Sequence, residues 1–487
     1  MSGLRVLVSA AVLLLGPVGL RAQDSPEVAR VRTWLDEHVP EMMREAGLPG
    51  FSIAVVKDGR TVHAAGFGAR DPQKNLPATP DTLYGIGSVT KSFVAIAILQ
   101  LAEQGKVTLD DPVSLHVPFE LGRPGQPITL RHLLTHSPGF PNLGTSSILI
   151  SRGLGSDTGI PMSSAADFYR FVNGAKGEVA FAPGEHFFYN NAAWRMLGHI
   201  VQERSGIPFH RYVKERILDP LGMKRSTLDV AVALRDPDHL VPHKKGKSGP
   251  EAAPFPYPNP EDNPGFSFLS AAGGILSSAN EMARYVSAQI DQGRFSAGRL
   301  ASADGFAGMQ SLQVETGEGH YGTAGYGYGL GVTPGFLGHK LVSHGGSISV
   351  STAHMAFIPD LKLGVVMMGN GPGMAYGRIA ETVFALLMGL DPDEVLPGNR
   401  IRKRMGRLAG NYATYRKLET LKVFERNGLL FMGEQEPGTP LFPEDPAYGS
   451  LRFYTLSEGL RSPVEFKVRE DGGLDLLVDR YVFHKKD

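Results

Sequence analysis

The chain has 487 residues, with 49 Lys and Arg against 49 Asp and Glu. That balance excludes the electrostatic footprint of a nucleic-acid binder or of a protein drawn to anionic membranes. With 42% apolar residues, 20% charged residues and no cysteine, the chain is not mainly disordered. It also holds no disulfide, iron–sulfur cluster, thiolate zinc site or cysteine nucleophile.

Residues 1–22 read as a secretory signal peptide. Arg5 gives a positive start, residues 6–20 form an apolar run, and Ala22 is a small residue before a cleavage point. A membrane anchor fits less well. The run has 15 residues and a Gly16-Pro17 break, short of the ~20 that a spanning helix needs. The expectation is a secreted or periplasmic protein with no later membrane span.

Ser25, Pro26 and Glu27 make a helix start, and Val28, Val31, Leu35 and Val39 follow on one face. Gly47 and Pro49 end that helix. Residues 51–56 and 61–65 form a hairpin through Asp58-Gly59. A helical middle region, broken by Gly/Pro loops, runs from about 88 to 300. Strand character returns at 340–344, 353–358 and 363–368, followed by an amphipathic helix over 377–390. Both ends of this region therefore supply strands, and the middle is an inserted helical lobe. A basic run, Arg400 to Arg407, reads as a solvated linker or short helix. The remaining segment carries hairpin turns at Asn427-Gly428 and Asp471-Gly472-Gly473, the signature of a small antiparallel β domain or barrel. The domain division is then 1–22 signal, 23–392 main α/β domain, 393–407 linker and 408–487 barrel-like domain.

Three segments carry chemistry. The first is Gly87-Ser88-Val89-Thr90-Lys91, opening a very apolar helix that runs to about Gly105. Ser88 and Lys91 are three apart, one turn apart on one face. A serine is a poor nucleophile until a base takes its proton, and an amine is a base only when neutral. Burial and a helix N-terminus both disfavour ammonium. The second is Tyr189-Asn190-Asn191, leading into a helix over 192–205. The third is Ser343-His344-Gly345-Gly346-Ser347, on a strand whose glycines admit a close substrate.

In that order, Ser88-Val89-Thr90-Lys91, Tyr189-Asn190-Asn191 and His344-Gly345-Gly346 resemble the class C β-lactamase-related serine hydrolases. This group includes penicillin-binding proteins, family VIII esterases and D-aminopeptidases. The segments 128–139, 220–223 and 272–278 strengthen the resemblance, which covers about residues 25–390. It implies a β-lactamase-like α/β fold: an antiparallel sheet flanked by helices, a helical lobe, and here a small C-terminal antiparallel β domain. It implies Ser88 as nucleophile, Lys91 as its basic partner and Tyr189 as proton relay. Asn191 would orient Lys91 and bind a substrate carbonyl. His344, Gly345 and Gly346 would line the substrate, and the N–H groups of Ser88 and Ser347 would form the oxyanion hole. No cofactor and no metal are implied.

One departure matters. The third motif of β-lactamases begins with lysine, which attracts a substrate carboxylate. Here it is His344, mostly neutral at pH 7. An exported hydrolase of small esters, amides or peptides is therefore expected ahead of a β-lactamase or a penicillin-binding cell-wall D-peptidase, and a non-catalytic ligand binder comes last. The sequence leaves the oligomeric state open.

Bland alternatives exist for each motif. Ser88 and Lys91 could be a helix cap and a solvated lysine, Tyr189 a core phenol, Asn191 a helix cap, and His344 a plain strand residue. His132 and His136 stand four apart, but without Glu or Cys beside them they read as structural. Residues 317–331 hold seven glycines without a Walker pattern, and read as a Gly/Tyr strand near the substrate cleft. No Gly-x-Ser-x-Gly elbow occurs, which disfavours an α/β-hydrolase.

Overall fold

The computed structural model describes residues 25–245, 250–426, 428–434 and 437–486. The signal peptide expected over 1–22 and Asn427 of the second hairpin turn lie outside them.

Helix α1, Pro26–Ala46, carries Val28, Val31, Leu35, Val39 and Met43 on its buried face. Its start differs in one detail from the sequence expectation. The Ser25 carbonyl caps by accepting from Ala29 N at 3.0 Å, while its hydroxyl makes no cap bond. Gly47, at φ 64°, turns the chain out of the helix, a conformation that favours glycine. Strands β1 (Gly50–Lys57) and β2 (Arg60–Asp71) then form the hairpin, with Asp58 and Gly59 both at positive φ. A short strand β3, Leu76–Pro77, ends this part of the sheet.

The sheet resumes after residue 313 with β4 (Val314–Gly319), β5 (Gly322–Tyr326), β6 (Gly331–Phe336), β7 (His339–Ser347), β8 (Thr352–Ile358) and β9 (Leu363–Gly369). The order across the sheet is β4-β5-β6-β7-β8-β9-β1-β2-β3, antiparallel throughout. The two ends of the main domain meet where β1 pairs with β9, Phe51 opposite Gly369 and Lys57 opposite Leu363.

Both central strands are buried on both faces, which is why they read as continuous apolar runs. Along β1, Phe51, Ile53 and Val55 pack with α1, while Ala54 and Val56 pack with the helical lobe. In β9, Val365 and Met367 take the first side, and Val366 and Met368 the second. The helix Tyr376–Leu387 joins α1 over the first face. Helix α2, Thr90–Glu103, lies inside the lobe and is buried nearly all round. That matches its apolar composition and its near-absence of a polar face.

Residues 397–408 are helical (Pro397–Leu408) rather than irregular. Met405 and Leu408 point into the core of the following domain, while Arg400, Lys403, Arg404 and Arg407 are exposed. Eight antiparallel strands between Gly410 and Lys486 close a barrel around Val423, Leu430, Leu441, Phe453, Phe466 and Leu476. The architecture expected from the sequence, an antiparallel sheet with helices and a helical lobe followed by a small antiparallel β domain, is the one observed. Among the described residues no helix is long and apolar enough to cross a membrane.

Candidate active site

The centre of the site is a contact between two backbones. A short 3-10 turn, Gly87–Val89, precedes α2 and lies against the end of β7. A Cβ on Gly87 would stand 2.4 Å from Ser347 N, and one on Gly346 would stand 2.0 Å from Ile86 O. Gly87 also holds φ at +52°. Only glycine at both positions permits this approach. It brings the N–H groups of Ser88 and Ser347 to neighbouring positions.

Ser88 is partly exposed, and Lys91, one turn on, is 0% exposed. The Lys91 Nζ lies 2.9 Å from Ser88 Oγ, 2.8 Å from Asn191 Oδ1 and 2.8 Å from the Ala272 carbonyl. It also sits 4.9 Å from the centre of the Tyr189 ring. Burial, helped by the nearby Arg195 cation, drives the Lys91 amine well below its ordinary range. A neutral amine has two N–H groups and one lone pair. Two carbonyl acceptors and one hydroxyl suit that state.

Residues Thr145–Gly153 form helix α3, and helix α4 runs Asn191–Ser205. The N-cap of α4 is Asn190, whose Oδ1 accepts from Ala193 N at 3.2 Å. The sequence allows Asn191 as an alternative cap. Because its neighbour caps the helix, Asn191 is free to meet Lys91. Tyr189 sits just before the cap. Burial pushes its phenol well above the usual range, opposed by a hydrogen bond to Ser88.

The sequence marks His136 only as structural, and the folded chain places it under this site. Its ring lies 4.2 Å from that of Tyr189. Asn190 N faces its Nδ1 at 2.8 Å and Trp194 Nε1 faces its Nε2 at 3.0 Å. A neutral imidazole accepts at one nitrogen only, so one of these contacts is the hydrogen bond, and an imidazolium would accept neither; burial favours the neutral ring. His132 is engaged elsewhere, its Nδ1 facing Thr129 N at 3.1 Å in a capping box. The two histidines do not converge.

His344 lies on β7 and is 8% exposed. Its Nδ1–H donates to the Gly345 carbonyl at 2.5 Å, and its Nε2 accepts from the Tyr326 hydroxyl at 2.8 Å. Burial first, and then the neighbouring Lys91, which would have to share the space with a second positive charge, bring it down to about 3. Both nitrogens are therefore used inside the protein. Gly345 and Gly346 border an open groove of about 590 Å³ that also includes Ser88, Ser347, His354 and Tyr376. A second, apolar cavity of about 370 Å³ lies beyond Tyr257, and Ser88 does not line it. A Cβ on Gly273 would stand 2.8 Å from the Tyr257 hydroxyl and 3.3 Å from the Gly87 carbonyl carbon. Tyr257 is thus a wall between cavity and site.

Sequence reasoning missed Arg195, Tyr257 and Tyr326 as members of this cluster. Tyr326 lies inside the Gly/Tyr strand, which is legible only as a whole. The other two carry no local pattern.

The beta-lactamase family profile matches residues 35–387. The chain belongs to the beta-lactamase family. This is a family of serine hydrolases related to the penicillin-binding proteins, as the motif resemblance implied. Within it, Protein flp of Staphylococcus aureus strain MW2 is 34% identical over 196 residues, 40% of this chain and 37% of flp. The match thus spans little more than a third of that relative. An octameric penicillin-binding protein homologue from Pyrococcus abyssi is 34% identical in sequence. Its structure covers 94% of this chain and 100% of its own, with a TM-score of 0.83. A beta-lactamase/D-alanine carboxypeptidase from Yersinia pestis shares the fold, at TM-score 0.57 and 20% identity over 74% of this chain and 98% of its own. Residues 392–484 of this family member match the Pab87 octamerisation domain.

Proposed function

We propose that this chain hydrolyses esters, amides or peptides through an acyl-enzyme on Ser88, without anchoring a substrate carboxylate at residue 344. The observation that carries the reading is the buried Lys91 amine, 2.9 Å from Ser88 Oγ with two further acceptors around it. Neutral Lys91 donates its two protons to Asn191 Oδ1 and the Ala272 carbonyl. Its lone pair takes the Ser88 proton as Oγ attacks the substrate carbonyl carbon. The oxyanion forms beside the N–H groups of Ser88 and Ser347, a preorganised pair of donors. As the carbonyl re-forms, the bond to the leaving group breaks. Tyr189 hands that group a proton and is recharged from Lys91. Water then adds to the acyl carbon, loses its proton to the same pair and releases the acid and free Ser88.

The choice of substrate rests on His344. A lysine there would offer a fixed positive charge. A histidine brought down to about 3, with both nitrogens engaged, offers none at any working pH. The names of the relatives favour a second reading, a penicillin-binding D-peptidase or β-lactamase. A non-catalytic binder is disfavoured, because burying a lysine against a serine is costly without chemistry to use it.

Short-chain p-nitrophenyl esters, D-amino-acid anilides and nitrocefin, each with wild type, Ser88→Ala and Lys91→Met, test these readings. The expected result is ester or anilide turnover that falls at least about a thousandfold in both variants. Equal rates in wild type and Ser88→Ala reject it. Fast nitrocefin turnover with no ester or anilide turnover selects the second reading.

We also propose that the C-terminal barrel joins copies of this chain. Support comes from the domain match at 392–484 and from apolar side chains left in solvent, Leu418 at 80% and Leu460 at 74% exposure.

A further inference from the structure

Arg195 is among the largest fully buried side chains of the protein, at 0% exposure. It lies four residues after Asn191 on α4, so the two side chains share a helix face. Its Nη1 donates to Thr145 Oγ1 at 2.9 Å and to the Asn191 carbonyl at 3.2 Å. Its Nη2 donates to Ser146 Oγ at 3.1 Å. Its Nε is buried and has no acceptor. All these partners are neutral, and among the described residues no carboxylate acts on it, only the Tyr257 phenol. A guanidinium buried without a counter-ion is a heavy cost to folding. Tying α3 to α4 does not account for it, since a glutamine or a methionine would pack there without burying a charge.

Its link to the site accounts for it better: Arg195 Nη1 holds the Asn191 carbonyl at 3.2 Å, and the Asn191 side chain holds Lys91 Nζ at 2.8 Å. Lys91 is approached by Ser88 from the turn before its own helix, and by Tyr189 and Asn191 from the entry of α4. The Ala272 carbonyl, His136 and His344 complete its surroundings. Tyr189 keeps its proton, and the two histidines are neutral. Among the described residues, Arg195 is the group with a full charge that acts on Lys91, after burial itself. Burial pulls Arg195 itself down only to about 10, so it stays cationic wherever the enzyme would work.

We propose that Arg195 is an electrostatic positioning residue: its unpaired buried charge, one turn from Asn191, keeps the Lys91 amine unprotonated and aimed at Ser88. It touches neither substrate nor the reacting oxygen. It acts through Lys91, by making a second positive charge in the same buried volume unfavourable. The proposal rests on the reading of Lys91 as the base for Ser88.

The test is the pH dependence of Ser88 labelling by a fluorophosphonate, measured from pH 5 to 10 on the full chain. The proteins are wild type, Arg195→Met, Arg195→Lys and the double variant Thr145→Val with Ser146→Ala. Removing the charge lets Lys91 hold its proton to higher pH, so the acid limb moves upward. The expected result for Arg195→Met is labelling slowed roughly tenfold at pH 6, the effect of about one pH unit, with rates near pH 9 within about twofold of wild type. Arg195→Lys restores the acid limb. The double variant, which loses the tie to α3 but keeps the charge, loses stability and keeps the wild-type limb. Superimposable profiles for wild type and Arg195→Met overturn the proposal. So does a double variant whose limb moves as far as that expected of Arg195→Met, a result that remains readable if Arg195→Met does not fold. Absence of Ser88 labelling in wild type at every pH is a different failure, that of the Ser88–Lys91 reading itself.

Discussion

His344 and His354 stand beside one another across β7 and β8, where Gly345 pairs with His354 and His344 with Met355. Burial brings His344 down to about 3 and His354 to about 4. In the unfolded chain both return to about 6.5. Between those limits the unfolded chain binds more protons than the folded one. Stability therefore rises with pH through this window, and is lost as pH falls from about 6.5 toward 4. His136, buried beneath the site and held well below its ordinary range by burial, adds to the same slope. The expected outcome is a urea midpoint that drops steadily from pH 7 to pH 4.5. His354→Gln should flatten that drop, since glutamine gains no proton in either state. A midpoint that is level over this range, or identical slopes in both proteins, contradicts the assignment.

At the scale of elements, the entry of α4 shows how a cap serves a site. Asn190 accepts from Ala193 N, and its Nδ2 donates to the Pro141 carbonyl at 2.9 Å and to that of Phe140 at 3.3 Å. It is fully buried, so Asn190→Ala leaves those groups without a partner. The expected loss is about 1–3 kcal/mol in urea unfolding, from the cap and the stranded carbonyls. Ser88 labelling should slow as well, because the first turn of α4 carries Asn191. An unchanged midpoint would show that water replaces the side chain fully. Asn190 also marks a limit of sequence reading. In Tyr189-Asn190-Asn191 either asparagine can cap a helix, and only the folded position of Lys91 decides which one does. The pairing of Ser88 with Lys91 was legible, because a spacing of three residues fixes it locally. The 3-10 turn that runs into α2 was not. Its backbone lies against that of Gly346, some 260 residues away, a contact no local pattern announces. The β1–β2 hairpin was legible in Asp58-Gly59 for the same local reason. Its pairing with β9 was not, since two apolar runs carry no register signal. Arg195 was invisible for a third reason: a single arginine on a helix reads as solvated until packing buries it.

At the scale of the whole molecule, the two parts of the chain bury their apolar residues differently. The sheet and lobe leave few large apolar side chains in solvent. The barrel, with a small core of its own, leaves Tyr415 at 72%, Leu418 at 80%, Leu460 at 74% and Val482 at 45% exposure. A short barrel in water would place polar residues there. If these side chains are covered by other copies of the chain, replacing two of them with charge should break the assembly and leave the distant site intact. Wild type is then expected to sediment at several times the mass of one chain. Leu418→Glu with Leu460→Glu should sediment near one chain mass or as a smaller oligomer. Ser88 labelling per chain should stay within about twofold of wild type, since neither residue touches the site and the core of the barrel is undisturbed. A monomeric wild type refutes assembly through the barrel. Dissociation accompanied by loss of labelling would instead mean that a neighbouring copy helps to shape the groove around Ser88.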